Sequence, residues 1–190
     1  MKLTSIQAKK MLKEIEENSE DNYWIRHSIC VGDTAGRIAE ELGLDIDKAK
    51  TLGYIHDIGK KFNDFQEHDL NGYKYMKELG YDDEYANVCL THSCLNNDIN
   101  CAAVMPSDNK LRTEFIKNHE YTIYEKIINL CDLMCTDVNL TLEERLVDIL
   151  VRRGIHENTV YHIKEAQKLK KYFDDMLGYS VYNLFPDVII

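Results

Sequence analysis

The sequence predicts an all-α protein, a helical bundle built as a single domain over residues 1–190. Three observations carry that prediction. Nearly every segment repeats apolar residues at intervals of three and four, the only two prolines, Pro106 and Pro186, fall outside the periodic stretches, and 190 residues suit one core better than two.

Residues 5–17 set Ile6, Met11, Leu12 and Ile15 against lysines and glutamates, giving a first helix. Residues 22–42 repeat Trp24, Ser28, Val31, Ala35, Ile38 and Leu42 at helical spacing, and Gly43 supplies the stop. A third helix starts at Asp45 or Asp47 as N-cap and runs to about Asp57, ending at Gly59. Residues 66–79 and 82–92 form two shorter helices divided by Gly80. Asp82, Asp83 and Glu84 place negative charge at the second one's N-terminus. The stretch 94–112, rich in Asn and Asp, reads as a long connection. Helices resume over about 119–136, over 141–153 with Thr141 and Glu144 as a capping box, and over 157–177. The apolar segment from Val181 to Ile190 is too short to classify and either packs as a tail or adds a short strand. Within this plan residues 22–137 form the functional core, and the helices of 141–178 pack on it.

Composition bounds the function. The net charge of -10 is uneven: residues 1–140 carry 16 basic and 25 acidic side chains, and residues 141–190 carry 7 and 8. A negative field repels polyanions, so a nucleic-acid polymer is not the expected partner; a small phosphate compound beside a bound dication is. No apolar run approaches the ~20 residues of a membrane span, and Met1 to Gln7 lack the apolar core of a signal peptide, so a cytoplasmic protein without a membrane partner is expected. The six cysteines form no C-x-x-C pair and read as buried free thiols. A homodimer is compatible with the sequence.

Chemistry concentrates in Tyr54-Ile55-His56-Asp57-Ile58-Gly59-Lys60. An adjacent imidazole and carboxylate can both bind a divalent cation, and the glycine is expected to turn the backbone and leave room for a substrate. His27 lies on the apolar side of the second helix, between Trp24 and Val31. Asp132 sits among Ile127, Ile128, Leu130 and Met134, where a carboxylate costs several kcal/mol unless a cation or metal accompanies it. If their helices converge, His27, His56, Asp57 and Asp132 supply two imidazoles and two carboxylates, suited to Fe, Mn, Co, Mg or Ni as much as Zn. His68 and His92 allow a second ion, with Asp57 bridging the pair. Lys60 is the first choice for a phosphate contact, Arg26 the second, and Lys110 or Arg112 from the long connection the third. The catalytic assignments are Asp57 and Lys60. His119, His156 and His162 are assigned surface or structural roles. No H-E-x-x-H, Glu-x-x-His, P-loop or G-x-G-x-x-G string occurs.

The order His27, then His56-Asp57 in His-Asp-Ile-Gly-Lys, then Asp132 resembles the H…HD…D pattern of the HD-domain superfamily of metal-dependent phosphohydrolases over about residues 22–137. The resemblance implies an all-helical fold and a first metal held by those four residues. His68 and His92 fall where dinuclear members carry extra histidines. The Gly-Tyr-Pro element of the cyclic-dinucleotide branch is missing, since Lys74 follows Gly72-Tyr73, and the segment between His92 and Asp132 is longer than in compact members. The resemblance therefore carries the reaction class, with a nucleotide or dinucleotide as the implied substrate class. Two rivals use the same ligands: a non-catalytic metal or nucleotide-binding module, and a di-iron oxygenase.

Overall fold

The structure, a computed structural model, describes residues 1–18, 22–186 and 188. Nine α-helices run through the described residues, which contain no named strand. They are α1 (Ser5–Glu16), α2 (Tyr23–Glu41), α3 (Ile46–Ile55), α4 (His68–Glu78), α5 (Asp83–Thr91), α6 (Lys110–Asn118), α7 (Ile123–Asp132), α8 (Leu142–Arg153) and α9 (Thr159–Leu177). Short 3-10 turns cover Ile58–Phe62 and Val181–Leu184. The described part of the chain is all-α, and none of its helices is long and apolar enough to cross a membrane.

Side-chain caps set the boundaries. Thr4 with Gln7, Thr122 with Glu125 and Thr141 with Glu144 form reciprocal capping boxes that satisfy the first free amides of α1, α7 and α8. Asp45 accepts from the Lys48 amide and opens α3. Gly43, at φ +65, ends α2 in the left-handed conformation open to glycine at no steric cost.

The stretch read as a long connection is shorter than expected, because α6 begins inside it. Asn109 caps that helix by accepting from the Arg112 amide, and Arg112 and Ile116 are its buried residues. Upstream, Cys94 and Ala102 form an isolated antiparallel bridge, and Asn96 and Asn97 turn at positive φ. Helix α7 consequently spans 123–132 instead of 119–136. The C-terminal segment adds no strand among its described residues; Val181, Tyr182, Phe185 and Val188 are buried against the core. Asp187, Ile189 and Ile190 lie outside the described residues.

One apolar cluster runs from Leu3 to Val188 and includes residues of α1 to α5 and α7 to α9. At its centre α2 crosses α3, with Gly32 against Gly53: a Cβ on Gly53 would lie 2.5 Å from the Gly32 Cα. Only glycine permits so close a crossing. It brings the N-terminal part of α2, with His27 in its second turn, toward the C-terminal end of α3, with His56. The six cysteines are free thiols; five are buried and Cys30 is partly exposed.

Candidate metal centre

Four helix ends and one helix turn deliver the polar groups. His27 comes from the second turn of α2, His56 caps the C-terminus of α3 with Asp57 following it, His68 opens α4, His92 caps the C-terminus of α5, and Asp132 closes α7. Helix C-termini carry carbonyls without partners in the helix, and the two capping histidines use them. His56 Nδ1 donates to the Gly53 carbonyl at 2.7 Å and His92 Nδ1 to the Cys89 carbonyl at 2.8 Å. His68 Nδ1 donates in the same way to the Phe65 carbonyl at 2.7 Å. A carbonyl only accepts, so Nδ1 holds the proton in all three and, in the neutral ring, Nε2 turns a lone pair inward.

Those lone pairs surround Asp57, which is 1% exposed. Its Oδ2 lies 3.5 Å from His56 Nε2 and 3.8 Å from His27 Nε2; its Oδ1 lies 3.3 Å from His68 Nε2 and 3.4 Å from His92 Nε2. Asp132 Oδ1 stands 2.9 Å from His27 Nε2 and 3.9 Å from His56 Nε2. Two groups able to hold a metal ion result, His27–His56–Asp57 and Asp57–His68–His92, with Asp57 common to both.

Three observations test whether a cation fits. His56 Nε2 and Asp57 Oδ1 are buried without a hydrogen-bond partner, a costly condition for a polar atom that a coordinated cation would relieve. His68 Nε2 and His92 Nε2 face each other at 3.1 Å although both rings spend their Nδ1 protons on carbonyls. Two lone pairs at that distance repel unless positive charge lies between them. Finally, imidazole and carboxylate donors suit borderline divalent ions.

The electrostatics agree. Burial alone would raise the Asp57 pKa, but the Lys60 ammonium first, then His56, His68 and His92, hold its carboxyl well below the usual carboxylate range. Burial also opposes ionisation of Asp132, and His27 beside it, with His56 and His92, reverses the balance and lowers its pKa. Both carboxylates are therefore ionised at neutral pH. Burial pushes His56 down to about 3, keeping it a neutral donor. Burial disfavours the charged form of His92 as well, yet Asp57 leaves its pKa raised, a sign that the centre favours positive charge beside that carboxylate.

The structure brings together His27, His56, Asp57, His68, His92 and Asp132, and adds Lys60, whose ammonium pairs with Asp57. The other expected phosphate contacts pair with residues outside the centre. Arg26 is exposed, 3.9 Å from Asp137. Lys110 is exposed on the first turn of α6, and its ion pair is with Glu114 one turn on. The Arg112 assignment is corrected: the side chain is fully buried, its guanidinium taken up by Asp69, so it has no free face for a phosphate. The expected role of Gly59 changes too. It makes no left-handed turn; a Cβ there would lie 1.9 Å from the His68 carbonyl oxygen and 2.4 Å from the Gly72 amide. Its bareness lets α4 approach, and α4 carries His68.

Sequence reasoning missed Asn129, whose amide donates to the carbonyls of Thr91 and His92 at 2.9 and 2.7 Å and so fixes the end of α5. The signal that singled out Asp132 was available for it: a polar residue in the same apolar run, three positions earlier. The Asp69–Arg112 pair was also missed, since nothing in the spacing joins residues 43 apart.

A helical scaffold that gathers the H…HD…D set around one shared carboxylate defines a class of His/Asp centres able to hold one or two cations. The family model of the HD domain matches residues 24–137, well over half of the chain, and the chain belongs to that family. Among curated proteins it is similar to ribonuclease Y of Fervidobacterium nodosum, 41% identical over 70 residues, and to ribonuclease Y of Thermosipho melanesiensis, 39% identical over 70 residues. Each match covers 36% of this chain and 14% of the relative, so the chain spans about one seventh of the length of these relatives. Among solved structures it is similar to the HD domain of the L. monocytogenes phosphodiesterase PgpH in complex with cyclic-di-AMP. The identity there is 17%, with 95% of this chain and 87% of the other covered at a TM-score of 0.49.

Proposed function

We propose that the chain is one domain acting as a metal-dependent phosphohydrolase on a small phosphate ester or anhydride, with a nucleotide or dinucleotide as the substrate class. The observation that carries the proposal is Asp57, a buried carboxylate whose two oxygens face separate pairs of imidazoles, with its Oδ1 and the neighbouring His56 Nε2 left unpartnered. In this reading His27, His56, Asp57 and Asp132 hold one divalent cation, and Asp57, His68 and His92 hold a second. When bound, such cations supply Lewis-acid charge that polarises phosphoryl oxygens and acidifies water for in-line attack.

The remaining work falls to the chain itself. The three Nδ1–carbonyl bonds keep each Nε2 aimed inward before any ligand arrives, so little reorganisation is needed on binding. His68, Lys60 and Asp132 keep part of their side chains exposed, 17%, 21% and 23%, while His56 and Asp57 are sealed, which defines the side from which a substrate enters. Lys60 stands on that side, partly exposed and paired with Asp57, and is the first candidate to bind an incoming phosphate oxygen. Arg26, beside His27 and only loosely paired, is the second candidate for a phosphate. The ribonuclease Y relatives support phosphodiester chemistry, and the net charge of -10 favours a small substrate over an RNA chain.

The test uses protein stripped with a chelator and reloaded separately with Mn²⁺, Co²⁺, Fe²⁺, Mg²⁺, Ni²⁺ or Zn²⁺. It is then offered nucleoside mono-, di- and triphosphates, linear and cyclic dinucleotides, dinucleoside polyphosphates and short RNA. Turnover of at least one small nucleotide, lost on stripping and restored by a cation, is expected. If every ester survives while the cation and a nucleotide both bind, the protein is a binding module. Oxygen uptake by the iron-loaded form would replace hydrolysis with oxidation.

A further inference from the structure

Arg112 is among the largest fully buried side chains, and its guanidinium hydrogen-bonds both residues that flank His68. Its Nε donates to Asp69 Oδ2 at 2.5 Å and one terminal nitrogen to Asp69 Oδ1 at 2.7 Å, a two-pronged grip on the carboxylate directly after His68. The same nitrogen reaches Glu67 Oε2, directly before His68, at 3.4 Å, and the Gln66 carbonyl at 3.5 Å. The other terminal nitrogen donates to the Ser107 carbonyl at 2.6 Å and lies 3.1 Å from its hydroxyl, and that hydroxyl in turn binds Glu67. Asp69 and Glu67 are thus both tied, from either side of His68, to a segment that lies between His92 and Asp132 in sequence.

The other cation position has no such tie. His27, His56 and Asp132 come from α2, α3 and α7, which pack directly on one another in the main core, and none of them neighbours an Arg112 contact. The second position depends on His68 at the first residue of α4, where a helix end frays unless it is held. A buried arginine that fixes both flanking carboxylates removes that freedom.

We infer that Arg112 is the positioning residue for His68, and that through it the 107–112 segment sets the affinity of the second cation position without altering the first. The inference rests on the two-cation reading above. Partners of this kind, one step behind a ligand, typically change metal affinity by about 10–100-fold when removed.

The experiment titrates chelator-stripped protein with Mn²⁺, counting bound equivalents and following the electron paramagnetic resonance spectrum. Wild type is expected to bind two equivalents and to show the exchange-coupled signal of a manganese pair at saturation. Arg112→Ala is expected to keep the first equivalent within about threefold and to bind the second about 10–100-fold more weakly. At concentrations that saturate the wild type, only an uncoupled signal should then remain. Arg112→Lys keeps the charge but not the two-pronged grip, and Asp69→Asn keeps the shape but not the charge. Both should weaken the second equivalent selectively, and they carry the test if the alanine variant does not fold. A folded variant with both equivalents unchanged, or with both weakened alike, overturns the inference, since either result makes Arg112 a general prop of the fold. A wild type that binds one equivalent overturns the two-cation reading itself, and this inference with it.

Discussion

Gly59→Ala is the substitution for which the structure sets the largest penalty per atom added. The new Cβ would sit 1.9 Å from the His68 carbonyl oxygen and 2.4 Å from the Gly72 amide, whereas real Cβ contacts essentially never fall under 3.0 Å. The turn at Ile58–Phe62 and helix α4 must therefore part by at least about 1.1 Å, and both obstacles are backbone, which cannot swing aside as a side chain does. Overpacking of this kind costs about 1–3 kcal/mol. Alanine returns about 0.5–1 kcal/mol by stiffening the unfolded chain, leaving a net loss of about 2 kcal/mol with the obstacle taken at the upper end. For a chain of this size that lowers the melting temperature by about 4–8 °C. Thermal unfolding of cation-free protein, followed by circular dichroism, measures it. Gly80→Ala is the control: φ there is +75 with no atom within 4 Å of the added carbon, so only the left-handed strain of about 1–2 kcal/mol, less the same entropic return, applies. A Gly59→Ala protein melting within 1 °C of wild type, or above Gly80→Ala, would refute the claim that this glycine exists for close approach of α4.

Two further outcomes are expected. Asp57→Ala removes the one carboxylate that faces both imidazole pairs; the helical circular-dichroism spectrum should persist while bound metal and turnover fall by at least a hundredfold, and a variant with undiminished turnover removes Asp57 from the mechanism. His162 is buried, and desolvation, with His156 adding to it, lowers its pKa from 6.5 to about 4. The unfolded chain therefore binds a proton that the folded chain refuses. Stability from this group is complete above pH 6.5, declines with a slope of up to about 1.4 kcal/mol per pH unit as the pH falls toward 4, and is lost below it. Urea titrations of His162→Gln across that window should show a shallower acid decline than wild type, and an unchanged slope would show that His162 takes up no proton on unfolding.

What could be read without coordinates was whatever depends on neighbours along the chain. The three-and-four spacing gave the helices, Thr141 with Glu144 gave a cap, Gly43 gave a stop, and the ordered H…HD…D string gave the family. Each of these is a local rule or a string, and each survives translation into one dimension. Helix α6 was legible in part, since Asn109 has the composition of a cap and Leu111 and Phe115, like Arg112 and Ile116, recur at four. The density of Asn and Asp just before it hid the pattern.

Tertiary structure alone decided which polar residues look at the same point. The sequence nominated Lys110 or Arg112, from the long connection, as third-choice phosphate contacts, but folding buries Arg112 against Asp69 and leaves Lys110 in solvent. It likewise turned Gly59 from a presumed gap for substrate into a contact between backbones. It also put Asn129 behind His92 and faced His68 with His92 at 3.1 Å. The physical reason is range: helix propensity, capping and apolar period act within about one turn, whereas the direction of a side chain into a shared centre is fixed by how whole helices cross. That crossing depends on which residues, such as Gly32 and Gly53, are small enough to let them meet.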